Sequence, residues 1–148
     1  MRGFHYTFQK VLDLKTNTKK QSEWVLSQAI GHLQSEETRV ASIQEERQQL
    51  ADKLQDLCAT CAPVKEIMAL QEYIGYLDQE LLNGFERVKR AEVQVQEKQA
   101  HLFECVSDEK LWLKAREKAQ FAFQQEVLRA EQIEMDEMAT VRYHMAAR

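Results

Sequence analysis

Residues 25–63 read VLSQAIGHLQSEETRVASIQEERQQLADKLQDLCATCAP, and the spacing of apolar residues in that stretch decides the fold. Leu26, Ala29, Leu33, Val40, Ile43, Leu50, Leu54 and Leu57 lie on one seam, completed by Glu36 and Arg47. The steps alternate three and four without a break, which is the heptad pattern of a helix laid against another helix. The stretch ends in Cys58-Ala59-Thr60-Cys61-Ala62-Pro63, where Pro63 is excluded from a helix interior but suits a first helical turn. Beyond it Ile67, Leu70, Ile74, Leu77 and Leu81 take up the same alternation. The expectation is an all-α fold of two long helices in a single antiparallel coiled-coil hairpin. Helix one covers about 4–57, the turn 58–63 and helix two about 64–144, to within a few residues.

Composition agrees with this reading. The 148 residues include one proline and four glycines, and 30% are charged against 44% hydrophobic. Mean hydropathy is −0.56. Such a chain makes long helices with narrow apolar stripes rather than a deep core. A net charge of −4 lacks the concentrated positive surface that nucleic acid requires. No apolar run is long enough to span a bilayer, and the first residues lack a secretory apolar core, so the expectation is a cytoplasmic protein without membrane insertion.

Upstream of the main seam, Phe4, Phe8, Val11, Leu12 and Leu14 form a wider, aromatic stripe. In helix two the pattern is read as shifting phase near Gly84-Phe85, then continuing through Val88, Val95, Leu102, Val106, Leu113, Phe123, Val127 and Ala130. Glu109, Arg116 and Gln120 make that far part of the seam polar, where a charge is costly unless paired. An antiparallel pairing about a turn at residue 60 gives residue numbers that sum to about 125, which puts Phe8 near Glu117 and both chain ends together. Helix two is longer, so its last third runs past the N-terminus or bends back.

Catalytic motifs are missing from the pattern. The glycines at 3, 31, 75 and 84 form no phosphate loop, and no zinc-protease motif or nucleophile elbow occurs. A two-helix arrangement offers no water-excluding pocket, and the chain is read as a non-enzyme without cofactor or metal. Cys58-x-x-Cys61 has the spacing of half a zinc site or a redox pair, but lacks the other two ligands. It reads first as two small turn residues, and second as a turn-to-turn metal or disulfide contact between two molecules. Cys105 makes the count odd, which argues for reduced thiols. Basic groups at Lys15/Lys19/Lys20, Arg87/Lys89/Arg90 and Lys110/Lys114/Lys118 read as solvated flanks or as docking points for acidic loops.

The aromatic residues carry more. Phe4, Tyr6, Phe8 and Trp24 lie in helix one, with Tyr73, Tyr76, Phe103, Trp112, Phe121 and Phe123 in helix two. Two-helix seams prefer aliphatic residues, and exposed Tyr and Trp are favoured interface anchors. Tyr73 and Tyr76 are expected on either side of the Ile74/Leu77 seam, with an open gap at Gly75.

The opening run Phe4-x-Tyr6-x-Phe8-Gln9-Lys10-Val11-Leu12-Asp13-Leu14-Lys15 resembles the start of the flagellar export protein FliJ family, in its Gram-positive form. Gln71-x-Tyr73-Ile74-x-x-Leu77 and the stretch from Arg129-Ala130-Glu131 to Glu134-Met135-Asp136-Glu137 fit as well. The resemblance implies a stalk-like, non-enzymatic adaptor of the flagellar type III export apparatus, at the inner face of the membrane. It would bind the hexameric export ATPase and promote its assembly, contact the export gate membrane protein, and escort export chaperones. Carried over by position, Phe4, Phe8, Leu12, Phe121 and Phe123 would face the ATPase, while Tyr73 and Leu77 would bind the gate. Glu80 and Gly84 depart from a hydrophobic gate contact. Such a stalk is expected to be a monomer when free. The alternative is a generic coiled-coil tether that homo-oligomerises through the same seam.

Overall fold

A computed structural model describes residues 3–148. Two α-helices make up the fold, α1 over Gln9–Ala59 and α2 over Val64–Ala146, and they pack antiparallel. By internal packing the chain divides into a unit of residues 21–103, containing the turn, and a unit of residues 1–20 with 104–148.

In the turn-containing unit the seam is as read for α1. From Leu26 to Leu57 every seam position is at least half-buried, with Val40 the most enclosed. The phase shift expected in α2 does not occur. Leu77, Leu81, Gly84, Val88, Ala91 and Val95 continue the three-four alternation, and Gly84 and Ala91 are buried members of it. The apparent shift came from counting only bulky residues. A Cβ on Gly84 would stand 2.8 Å from Cγ2 of Val40, so the glycine is the hole that receives the valine knob. Val40 is β-branched and stiff in a helix, which leaves it little room to yield.

Charges at the seam are paired across it. Arg87 Nε donates to Glu36 Oε2 at 3.1 Å, and Arg47 is ion-paired with Asp78. The bond to Asp78, with its charge, raises the Arg47 pKa further above its ordinary value. These pairs flank Val40/Gly84 and repeat its register, so a slip of one heptad would break all three contacts.

The turn is tighter than expected, because Cys58 and Ala59 still belong to α1. Thr60 Oγ1 donates to the Asp56 carbonyl at 3.1 Å. Cys61 takes the left-handed conformation, with φ 54°, and the Ala62 N–H returns to the Leu57 carbonyl at 3.2 Å. That is the long bond of a Schellman helix end, in which glycine is the usual residue. A cysteine there costs on the order of 1–2 kcal/mol. Pro63 then opens α2, its carbonyl accepting from Glu66 at 3.1 Å.

In the other unit, α1 begins at Gln9 rather than near residue 4. Phe4, Tyr6 and Phe8 alternate with period two, and residues 3–6 carry no helix; the Gln9 N–H closes on the Tyr6 carbonyl at 3.1 Å. Non-helical chain covers distance faster than helix. Residues 3–6 run outside any helix before the turn at residues 7–8, and so bridge more of the roughly 16 Å of α2 between Trp112 and Phe123 than helix would. Phe4 therefore packs on Phe123 and Phe8 on Trp112, not beside Glu117 as a continuous helix would require. Deeper in this unit Lys19 meets Glu109 at 3.2 Å and Lys15 meets Asp108 at 3.5 Å. Two of the expected solvated lysines are thus seam partners. Oε2 of Glu109 is buried with no hydrogen bond, so this ion pair holds the helices less well than an apolar contact would.

Two stability outcomes follow. Gly84→Val is expected to lower the thermal midpoint by several degrees, and Val40→Ala in the same chain to recover part of the loss, in melts followed by circular dichroism. Replacing Lys19 and Glu109 together by Met and Leu is expected to raise the midpoint, whereas Lys19→Ala alone lowers it.

Candidate protein-docking surfaces

Two surfaces collect the aromatic residues, one in each unit. In the unit of residues 1–20 and 104–148, Phe4 and Phe123 have ring centroids 5.6 Å apart and Phe8 and Trp112 5.8 Å. Tyr6 lies edge-on to Phe8 at 5.9 Å and is itself buried. Leu12, only 3% exposed, packs inside, while Phe8 stays 52% exposed. Phe121 is 64% exposed and makes no ring contact. Phe4, Phe8 and Phe123 therefore lie in one patch, Leu12 is buried in the same unit, and Phe121 stands apart. Trp112 belongs to the patch, and its spacing of eleven residues from Phe123 was the available signal for it.

Past Phe123, α2 continues to Ala146 with every residue exposed. At 100° per residue, Val127, Ala130, Met138, Val141 and Met145 fall on one face, interrupted by Glu134, and in line with Phe123 and Trp112. Among the described residues no second helix lies against this stretch. The stripe continues the seam spacing with its residues exposed.

The second surface lies in the turn-containing unit. Tyr73 and Tyr76 stack with centroids 6.1 Å apart at 22°, as residues three apart on one helix face can. They share a face rather than flanking the seam. Tyr73 Oη donates to Glu46 Oε1 at 2.8 Å, and that bond, with desolvation and neighbouring charge, raises the tyrosine pKa above its ordinary value. A groove of about 470 Å³ runs beside the pair, with Ile43 and Leu77 as its apolar lining and Arg39, Glu46 and Glu80 among its polar residues. Leu77 is only 4% exposed, so it supports the groove from the seam, and Tyr76 at 58% offers the contact area instead. A Cβ on Gly75 would touch nothing within 4 Å, so the gap beside the rings is open.

Among the described residues no cluster of three or more His, Cys, Asp or Glu could hold a metal ion, and no helix is long and apolar enough to cross a membrane. Cys58 and Cys61 are exposed, and Cys105 is buried.

The family model described as the flagellar FliJ protein matches residues 4–148. The chain belongs to this family. Membership makes it a component of the flagellar export apparatus. The match begins at Phe4, the first ring of the aromatic patch, and takes in the whole of α2. No curated protein and no solved structure matches the chain.

The Tyr73–Glu46 bond has a pH signature. A raised tyrosine pKa means that the bond is intact below the ordinary tyrosine range and is lost as pH climbs through the folded value. Glu46→Gln is expected to bring Tyr73 back toward the ordinary range, as ring NMR shifts followed from neutral to high pH would show.

Proposed function

We propose that this FliJ-family chain is a non-enzymatic adaptor that docks its aromatic patch and C-terminal stripe onto the export ATPase ring and promotes the ring's assembly. The unpartnered continuation of the seam beyond Phe123 carries this reading. An isolated helix of that length is marginal in water, so a stripe with seam spacing implies a protein surface that completes it. Phe8 supplies an exposed ring of the kind that anchors interfaces. Family membership supplies the setting, and within the export apparatus the ATPase is the partner that the resemblance implies.

The Tyr73/Tyr76 face is the proposed contact for the export gate, with Leu77 holding the groove from below. Glu80 lines that groove, so the contact is mixed rather than purely apolar. Escort of export chaperones is assigned to the exposed stripe, where Met138 and Met145 provide side chains that adapt to more than one partner. Recruitment to the inner face of the cell membrane would follow from these protein contacts. A tether that pairs through the main seam in trans is less well supported, because residues 26–57 already bury that seam within the chain.

The test is the hydrolysis rate of the cognate export ATPase with and without the chain. The wild-type protein is expected to stimulate it. Phe8→Ala with Val141→Asp should weaken the effective affinity roughly ten-fold or more while helix content holds. Leu12→Ala is a poor substitute, since it damages the core. Absence of stimulation by the wild-type chain overturns the proposal.

A further inference from the structure

We infer that the hairpin apex is half of a metal site: Cys58 and Cys61 of one chain and the same two cysteines of a second copy together hold one zinc ion. Both thiols are exposed at the apex and neither is engaged by another group. A Cys-x-x-Cys pair is the usual contribution of one chain segment to a tetrahedral zinc site, and zinc needs four ligands. No other ligand joins them in this chain, because among the described residues no cluster reaches three. Only a second apex, related by a two-fold axis, supplies the missing pair with the same geometry.

The local structure fits that arrangement. Cys58 lies in the last turn of α1 and Cys61 three residues on, so their Cα atoms stand about 5 Å apart. Two thiolates on one tetrahedral zinc stand about 3.8 Å apart at Zn–S bonds near 2.3 Å, within reach of side chains so placed. The Ala62-to-Leu57 hydrogen bond fixes the left-handed turn at Cys61, so the pair is held by backbone rather than by a mobile loop. Ala59, Thr60 and Ala62 are small, and Thr60 spends its hydroxyl on the Asp56 and Leu57 carbonyls. A second apex can therefore approach closely without displacing a bulky side chain or breaking a polar contact. Four soft sulfur ligands in a tetrahedron select zinc over magnesium or calcium. Binding forms four Zn–S bonds and releases four protons from the thiols, with no change of oxidation state. None of the residues of the aromatic patch or the tyrosine groove takes part.

The experiment is sedimentation equilibrium of the full, reduced chain with and without zinc chloride, alongside a zinc titration and a cobalt(II) spectrum. The expected result is a zinc-dependent doubling of mass at half an equivalent of zinc per chain, with a tetrahedral thiolate–cobalt spectrum. Cys58→Ser and Cys61→Ser should each abolish the doubling while circular dichroism stays unchanged. Zinc without a change of mass, one zinc per chain, or a dimer that survives either serine variant or a chelator would overturn the inference.

Discussion

The fit of Val40 into the space left by Gly84 sets the register on which the turn-containing unit depends. A 2.8 Å approach tolerates no side chain at residue 84 and leaves the two backbones locally close. Glu36 with Arg87 and Arg47 with Asp78 repeat the same offset on either side. Apolar burial along a two-helix seam is small per residue, and any one-heptad slip would bury a comparable area. The steric hole and the flanking charges therefore supply specificity that hydrophobicity alone does not.

The second unit is held differently. Its seam passes through Lys19 and Glu109, and its N-terminal segment leaves the helical path so that Phe4 and Phe8 can reach Phe123 and Trp112. Ring contacts there stand in for helix hydrogen bonds. Beyond them α2 carries a stripe with no intramolecular cover, and the same residues that finish the fold also begin the proposed interface.

Much of this was legible in the sequence. The α1 seam from Leu26 to Leu57 was read position by position, because bulky aliphatic residues mark it. The α2 seam past Leu81 was not, because Gly84 and Ala91 are buried for being small, and a reading keyed to bulk passes over them. The segment from Phe4 to Phe8 looked helical by its place ahead of a long helix, whereas its period of two was the truer signal. Tyr73 and Tyr76 were set on opposite sides of the seam, whereas a spacing of three puts them on one face, where their rings stack. The heptad position of Leu77 marks it as buried, and at 4% exposure it is part of the seam.

Along α2 a stretch whose seam is filled within the chain gives way to a stretch whose seam residues are exposed. Hydrogen exchange of the isolated protein, resolved along α2 by mass spectrometry, measures that contrast directly. Strong protection of residues 77–95 with rapid exchange of residues 124–146 is the predicted result. Equal and strong protection of both stretches in a monomeric chain would contradict it.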